Sequence, residues 1–154
     1  MRINVKKKIK NWMQLEFCAI SENEQLARIA VVSFITPLNP TLEEMADVKT
    51  AVSEAVTNSI IHGYDGKKGK IHMLCGLKGH TLFVEICDKG AGISDIAKAM
   101  EPTYTTRPEL ERSGMGFSFM EAFMDELRVE SEVGKGTIVY MTKTIAQYDG
   151  QTTD

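Results

Sequence analysis

The chain has 154 residues, 43% of them hydrophobic and 25% charged, with a formal net charge of −3. That size and composition fit one globular domain burying roughly 70% of the surface its unfolded chain exposes, and exclude a disordered or membrane-embedded protein. The charge leaves no global footprint for nucleic acid and no apolar run nears the ~20 residues of a membrane helix, so a cytoplasmic protein without direct nucleic-acid or membrane contact is expected.

Lys6, Lys7, Lys8 and Lys10 make residues 1–12 a basic extension that reads as a solvated arm. A single domain over 13–146 and a frayed tail over 147–154 are expected to follow. From Trp12 to Ile20, the apolar Met13, Leu15, Phe17 and Ala19 alternate with Gln14, Glu16 and Cys18, the period of a half-buried strand. Ser21 stands three residues before Glu24, a capping-box spacing, and Leu26, Ile29, Ala30 and Phe34 recur at helical spacing until Pro37. This predicts a helix over 22–36. Thr41 and Glu44 repeat the box, and Leu42, Met45, Val48, Val52, Ala55, Val56, Ser59 and Ile60 carry a second helix to Gly63.

Two strands, 70–77 and 81–87, pair across Lys78-Gly79 as an antiparallel hairpin, and 95–100 is a short helical run. Residues 101–113 lose periodicity, and their length suggests a functional lid. Gly114-Met115-Gly116 then opens a helix through Phe119, Phe123 and Met124, and strands 127–133 and 136–145 close the chain as a second hairpin across Gly134-Lys135. Cys18, Cys75 and Cys87 lack C-x-x-C spacing and lie in strand-like runs, so buried reduced thiols are expected. The order of elements gives an α+β domain, an open, mainly antiparallel sheet covered by helices.

The chemistry is concentrated in four places. Glu54 and Asn58 project from one helix face, one turn apart, and carboxylate and amide oxygens suit a hard cation such as Mg²⁺. Asp88 ends a strand and is followed by Gly90 and Gly92, where the missing Cβ allows close approach. The 101–113 loop carries threonines and arginines. Gly114, Met115 and Gly116 offer backbone N–H groups at a helix start, where phosphate is favoured. Each feature alone is equally a solvent-facing stripe, a tight turn or an ordinary helix start.

In this order and spacing the set resembles the ATP-binding (Bergerat) fold of the GHKL superfamily, an α/β sandwich with a mainly antiparallel mixed sheet, shared by gyrase, a heat-shock chaperone, histidine kinases and MutL. Within it the chain is similar to the anti-sigma F factors of sporulation, small serine protein kinases. The similarity rests on Ser21-Glu22-Asn23-Glu24 with Arg28, on Ser53 through Asn58 to Tyr64, on Thr105 through Phe117, on Phe123-Met124-Asp125 and on Val129 through Val133. The basic extension is longer than is familiar, and Arg107 stands where a Lys is usual.

The resemblance implies that Asp88 hydrogen-bonds the adenine amine while Gly90 and Gly92 let the base lie against the backbone. It implies that Asn58 ligates Mg²⁺ and that Glu54 is the general base for phosphoryl transfer from ATP to a serine. Thr105, Thr106, Ser113, Gly114, Met115 and Gly116 would contact the nucleotide, with Thr137 on the adenine side. Arg28, Glu111 and Arg112 would meet partner proteins: a sigma factor held inactive according to whether ATP or ADP is bound, an anti-sigma factor antagonist phosphorylated on serine, and a second copy of the chain in a homodimer. Alternatives are a stress-response-type anti-sigma kinase serving another sigma factor, or a sigma-binding protein that uses ATP without transferring phosphate.

Overall fold

The computed structural model describes residue 9 and residues 11–101 and 116–146. Its elements in chain order are β1 (Asn11–Cys18), α1 (Glu22–Ile35), α2 (Leu42–Asn58), β2 (Lys70–Lys78), β3 (Thr81–Asp88), α3 (Ile96–Ala99), α4 (Gly116–Phe123), β4 (Glu126–Glu132) and β5 (Gly136–Thr144). The strands form one sheet in the order β1-β2-β3-β5-β4, and all four pairings are antiparallel. The predicted strands and helices are thus present within the described residues. The predicted lid and the residues of the helix start before Gly116 lie outside them.

Alternation decides which side of the sheet the helices cover. Leu15, Met73, Ile86, Val139 and Val129 stand in one row across the five strands, and Met13, Cys75, Val84, Met141 and Leu127 in the next. Both rows pack under α1, α2 and α4, joining Val31, Ile35, Val48, Val52, Val56 and Met120 in one core. A third row on this side, Phe17, Ile71, Asp88, Thr137 and Ser131, turns polar at β3. The core therefore ends at a polar edge, over which α2 projects its carboxyl-terminal half.

Several local expectations differ in the structure. The Thr41 capping box forms as predicted, with Glu44 N donating to Thr41 Oγ1 at 3.0 Å and Thr41 N to Glu44 Oε1 at 2.9 Å. The Ser21 box does not. Ser21 is already in the right-handed helical region rather than extended, and the Glu24 carboxylate instead accepts from Ser53 Oγ and pairs with Arg28 Nε at 3.4 Å. The tertiary bond outcompetes the local one.

On α1 the buried stripe is Ala27, Val31 and Ile35, whereas Leu26 and Ile29 face solvent. Apolar residues lie all round this helix, so periodicity alone does not select its inner face. Cys75 is buried, and burial pushes its thiol up to about 12, but Cys18 is exposed. It shares the outer side of an edge strand with Gln14 and Glu16. The second hairpin turn includes the predicted Gly134-Lys135 but begins at Val133, because β4 ends at Glu132, and the first lies at Gly79-His80, because β2 runs one residue further to pair Lys78 with Thr81.

These caps give a paired expectation. Thr41→Ala should lower unfolding free energy by about 0.5–2 kcal/mol, the usual cost of a lost N-cap. Ser21→Ala should change it little, since its hydroxyl caps nothing. Urea denaturation of both variants checks this, and equal losses would contradict the cap assignment.

Candidate functional site

The continuation of α2 past Asn58 is a π-helical turn, Ser59–Gly63, rather than more α-helix. Such turns are rare and recur at functional sites. Here the wider turn directs two groups at the polar end of the sheet. Ser59 Oγ donates to Asp88 Oδ2 at 2.8 Å, and Gly63 O accepts from Ala91 N at 2.7 Å. The Asp88 carboxylate is 5% exposed and also accepts from Gly90 N at 2.9 Å and from the backbone of Thr137, its partner in the β3–β5 register. Burial pushes its pKa up, and the three hydrogen bonds oppose that shift.

The glycines after Asp88 serve the assembly of this corner. A Cβ on Gly90 would lie 2.2 Å from Gly63 O, so the strand end and the π turn approach as closely as backbones allow. Gly92 has φ +75°, open to glycine at no cost, and a Cβ there would lie 2.2 Å from Glu132 O. The space freed by both missing side chains is thus taken by the protein's own backbone.

Glu54 and Asn58 are half-buried and face the start of α4. A Cβ on Gly116 would be 3.1 Å from Glu54 Oε2 and 3.2 Å from both terminal atoms of Asn58. A backbone helix start, a carboxylate and an amide therefore converge, and Ser59, next to Asn58 in the chain, bonds Asp88. Thr137 is buried, and its Oγ1 lies 2.8 Å from Ser131 Oγ, which accepts from Ile93 N at 2.7 Å. Arg28 lies apart on α1, yet through Glu24 it reaches Ser53, the neighbour of Glu54. Thr105, Thr106, Glu111, Arg112, Ser113, Gly114 and Met115 are outside the described residues.

Among the described residues no group of three or more His, Cys, Asp or Glu could hold a metal ion. A single amide oxygen from Asn58 still fits Mg²⁺, which dehydrates reluctantly and takes most of its shell from water and phosphate. Sequence reasoning missed Ser59 and Tyr64. Ser59 was placed on the buried stripe of α2, and a hydroxyl there needs a partner, which is the available signal. Tyr64 Oη donates to Lys70 O at 2.5 Å and accepts from Lys89 N at 2.8 Å, and its ring fills the space beside Gly69. Nothing in its sequence context marks that role.

Residues 21–143 match the family described as histidine kinase-like ATPase domain. The chain is 56% identical over 138 residues to an anti-sigma F factor of Clostridium acetobutylicum, covering 90% of this chain and 96% of that protein. Anti-sigma F factors of Oceanobacillus iheyensis and Clostridium botulinum are 54% identical over 140 residues and 59% over 134 residues, with 90% and 86% of this chain and 96% and 94% of theirs covered. A crystal structure of the RsbU and RsbW domains of a Mycobacterium tuberculosis protein shares the fold, with a TM-score of 0.65 at 20% identity over 90% of this chain. This chain spans 34% of that one. With a histidine kinase-like ATPase domain over residues 21–143 and relatives matched over nearly their whole length, the chain belongs to the anti-sigma F factor family.

Proposed function

We propose that the chain is an ATP-dependent protein serine kinase that holds a sigma factor inactive and phosphorylates a serine of that factor's antagonist. The observation that carries this reading is the convergence of Glu54 and Asn58 on the start of α4 at Gly116. A neutral serine hydroxyl is a poor nucleophile, and a carboxylate within reach can take its proton as the γ-phosphoryl group transfers in line. Glu54 is assigned that role. A helix start offers N–H groups to phosphate, and Gly116 with Gly114 and Met115 before it is assigned to the triphosphate.

Asp88 is assigned to the adenine amine as a hydrogen-bond acceptor, with Thr137 beside it. When Mg²⁺ is bound, the Asn58 amide oxygen would hold it, and the ion supplies neutralisation of phosphate charge. Thr105, Thr106 and Ser113 are assigned to the nucleotide and Arg28, Glu111 and Arg112 to partner proteins, a second copy of the chain among them. Among the described residues no helix is long and apolar enough to cross a membrane. The names of the relatives favour sigma F as the inhibited factor over the stress-response alternative. Glu54 with its helix-start neighbour favours a kinase over a protein that only binds ATP.

Two experiments test the assignments. Glu54→Gln should retain Mg-ATP binding by calorimetry and lose about 10²–10⁴-fold in phosphate transfer to the antagonist. Asn58→Ala should instead weaken the metal-dependent part of nucleotide binding. Unimpaired transfer by Glu54→Gln removes the general base from this reading.

Asp88→Asn should weaken ATP binding and its preference over GTP, because the acceptor facing the base is altered. Its effect on stability should depend on pH. A carboxyl whose pKa is raised by folding favours the folded state below its unfolded pKa, and that contribution is lost as pH rises through the folded pKa. The variant lacks this loss. Its melting temperature relative to the parent should therefore climb as pH rises through that window, and a difference independent of pH would refute the assignment of a raised pKa.

A further inference from the structure

Asp88, Thr137 and Ser131 stand abreast at the polar end of the sheet, on β3, β5 and β4. Asp88 can only accept here: Ser59 Oγ, Gly90 N and the backbone of Thr137 all donate to its carboxylate, and an ionised carboxylate has no proton to return. Thr137 carries a hydroxyl, which can face the site with a proton or with a lone pair. Which of the two it shows is decided on its other side, at Ser131.

Ser131 is half-buried, and its Oγ has three polar neighbours. Ile93 N lies 2.7 Å away, and a backbone N–H can only donate. Gly136 O lies 3.0 Å away, and a carbonyl can only accept. Thr137 Oγ1 lies 2.8 Å away and can do either. A serine has one proton. Given to Gly136 O, it leaves Ser131 Oγ an acceptor for both Ile93 N and Thr137, and all three contacts are hydrogen bonds. Given to Thr137, it leaves Gly136 O facing a bare oxygen, and two bonds remain. Polar groups shielded from water are paired wherever geometry permits, so the three-bond arrangement holds. Thr137 thereby commits its one proton to Ser131, and among the described residues its Oγ1 has no second hydrogen-bond partner.

Backbone contacts keep Ser131 in this arrangement. Gly134 N donates to Ala91 O at 2.8 Å, and a Cβ on Gly92 would meet Glu132 O, so the segment after Asp88 lies directly on the second hairpin with Ile93 N over Ser131.

We propose that Ser131 is a positioning residue for nucleotide choice: by accepting the Thr137 proton it makes Thr137 Oγ1 an acceptor beside the Asp88 carboxylate. Two neighbouring acceptors take a base edge that offers N–H groups, as the 6-amino group of adenine does, directly or through a water. They oppose a 6-oxo group, whose lone pairs meet theirs. The inference rests on the assignment of Asp88 to the adenine amine.

The test is calorimetric titration of the full chain and its variants with Mg-ATP and with Mg-ITP, whose bases carry an amino and an oxo group at position 6. Ser131→Ala frees the Thr137 proton to turn toward the base, and the ATP-to-ITP affinity ratio should fall about 10-fold, the size of one neutral hydrogen bond. Ser131→Thr, which keeps a hydroxyl, should retain the parent's ratio. In a Thr137→Val background there is no proton to turn, so adding Ser131→Ala should leave the ratio where Thr137→Val alone puts it. A merely structural Ser131 would shift the ratio equally in both backgrounds or in neither, and either result overturns the proposal. If Ser131→Ala does not fold, Thr137→Val alone decides: its ratio should also fall, and an unchanged ratio overturns the proposal. Asp88→Asn separates the inference from its premise. A ratio unchanged by Asp88→Asn removes the adenine assignment and the proposal with it, whereas a ratio that falls in Asp88→Asn but not in Ser131→Ala removes the proposal alone.

Discussion

The hydrogen bond from Ser59 Oγ to Asp88 Oδ2 joins the two halves of the site. It runs from the π turn that follows α2 to the end of a central strand, and it holds a carboxylate that the core would otherwise expel. An unpaired buried charge costs several kcal/mol, comparable with the whole stability of a domain, so the donors around Asp88 are a condition of its being there. The π turn makes this possible. By widening the helix for one turn it delivers Ser59 and Gly63 to the same strand end without breaking the chain of hydrogen bonds that runs through α2.

The anchoring of α2 follows from the same logic. Val48, Ala51, Val52, Ala55 and Val56 are fully buried, so packing fixes the flank of α2 that carries Glu54 and Asn58. The amino-terminal end is held by the Thr41 cap, and Glu44 Oε2 of that cap also accepts from Ala146 N just after β5. Lys143 ties a third point: its ammonium donates to Phe123 O at the end of α4 and pairs with Asp47 of α2. A cation at a helix carboxyl terminus is favoured by the helix dipole as well as by the open carbonyl. The two helices that build the site are therefore joined through β5 at the end remote from the nucleotide elements.

Much of this was legible in the residues. Alternation in β1 and in the two hairpins identifies the strands because one face is buried and the other is not, and the Thr41 box identifies a helix start because Glu44 keeps one oxygen on Thr41 N while the other takes Ala146 N. The same motif at Ser21 fails because Glu24 has a better partner in Ser53, which lies 29 residues away in sequence and is invisible to local rules. Glu54, Asn58 and Gly116 were recognisable by type and spacing. Ser59 and Tyr64 were not, since their roles depend on a π turn and a loop closure that only the tertiary arrangement specifies.

The order of strand pairing has a consequence for how the site comes into being. The β2–β3 and β4–β5 hairpins join residues near in sequence, whereas β3 meets β5 at long range, from Thr81 with Thr144 to Asp88 with Thr137. Asp88 and Thr137 face each other on that seam. Long-range pairings are the ones whose loop-closure entropy must be met before any contact rewards it. The Asp88–Thr137 corner thus does not pre-exist in either hairpin. A ligand held across the seam would bind only the completed sheet, and by mass action would act as a clasp on one of its two long-range pairings.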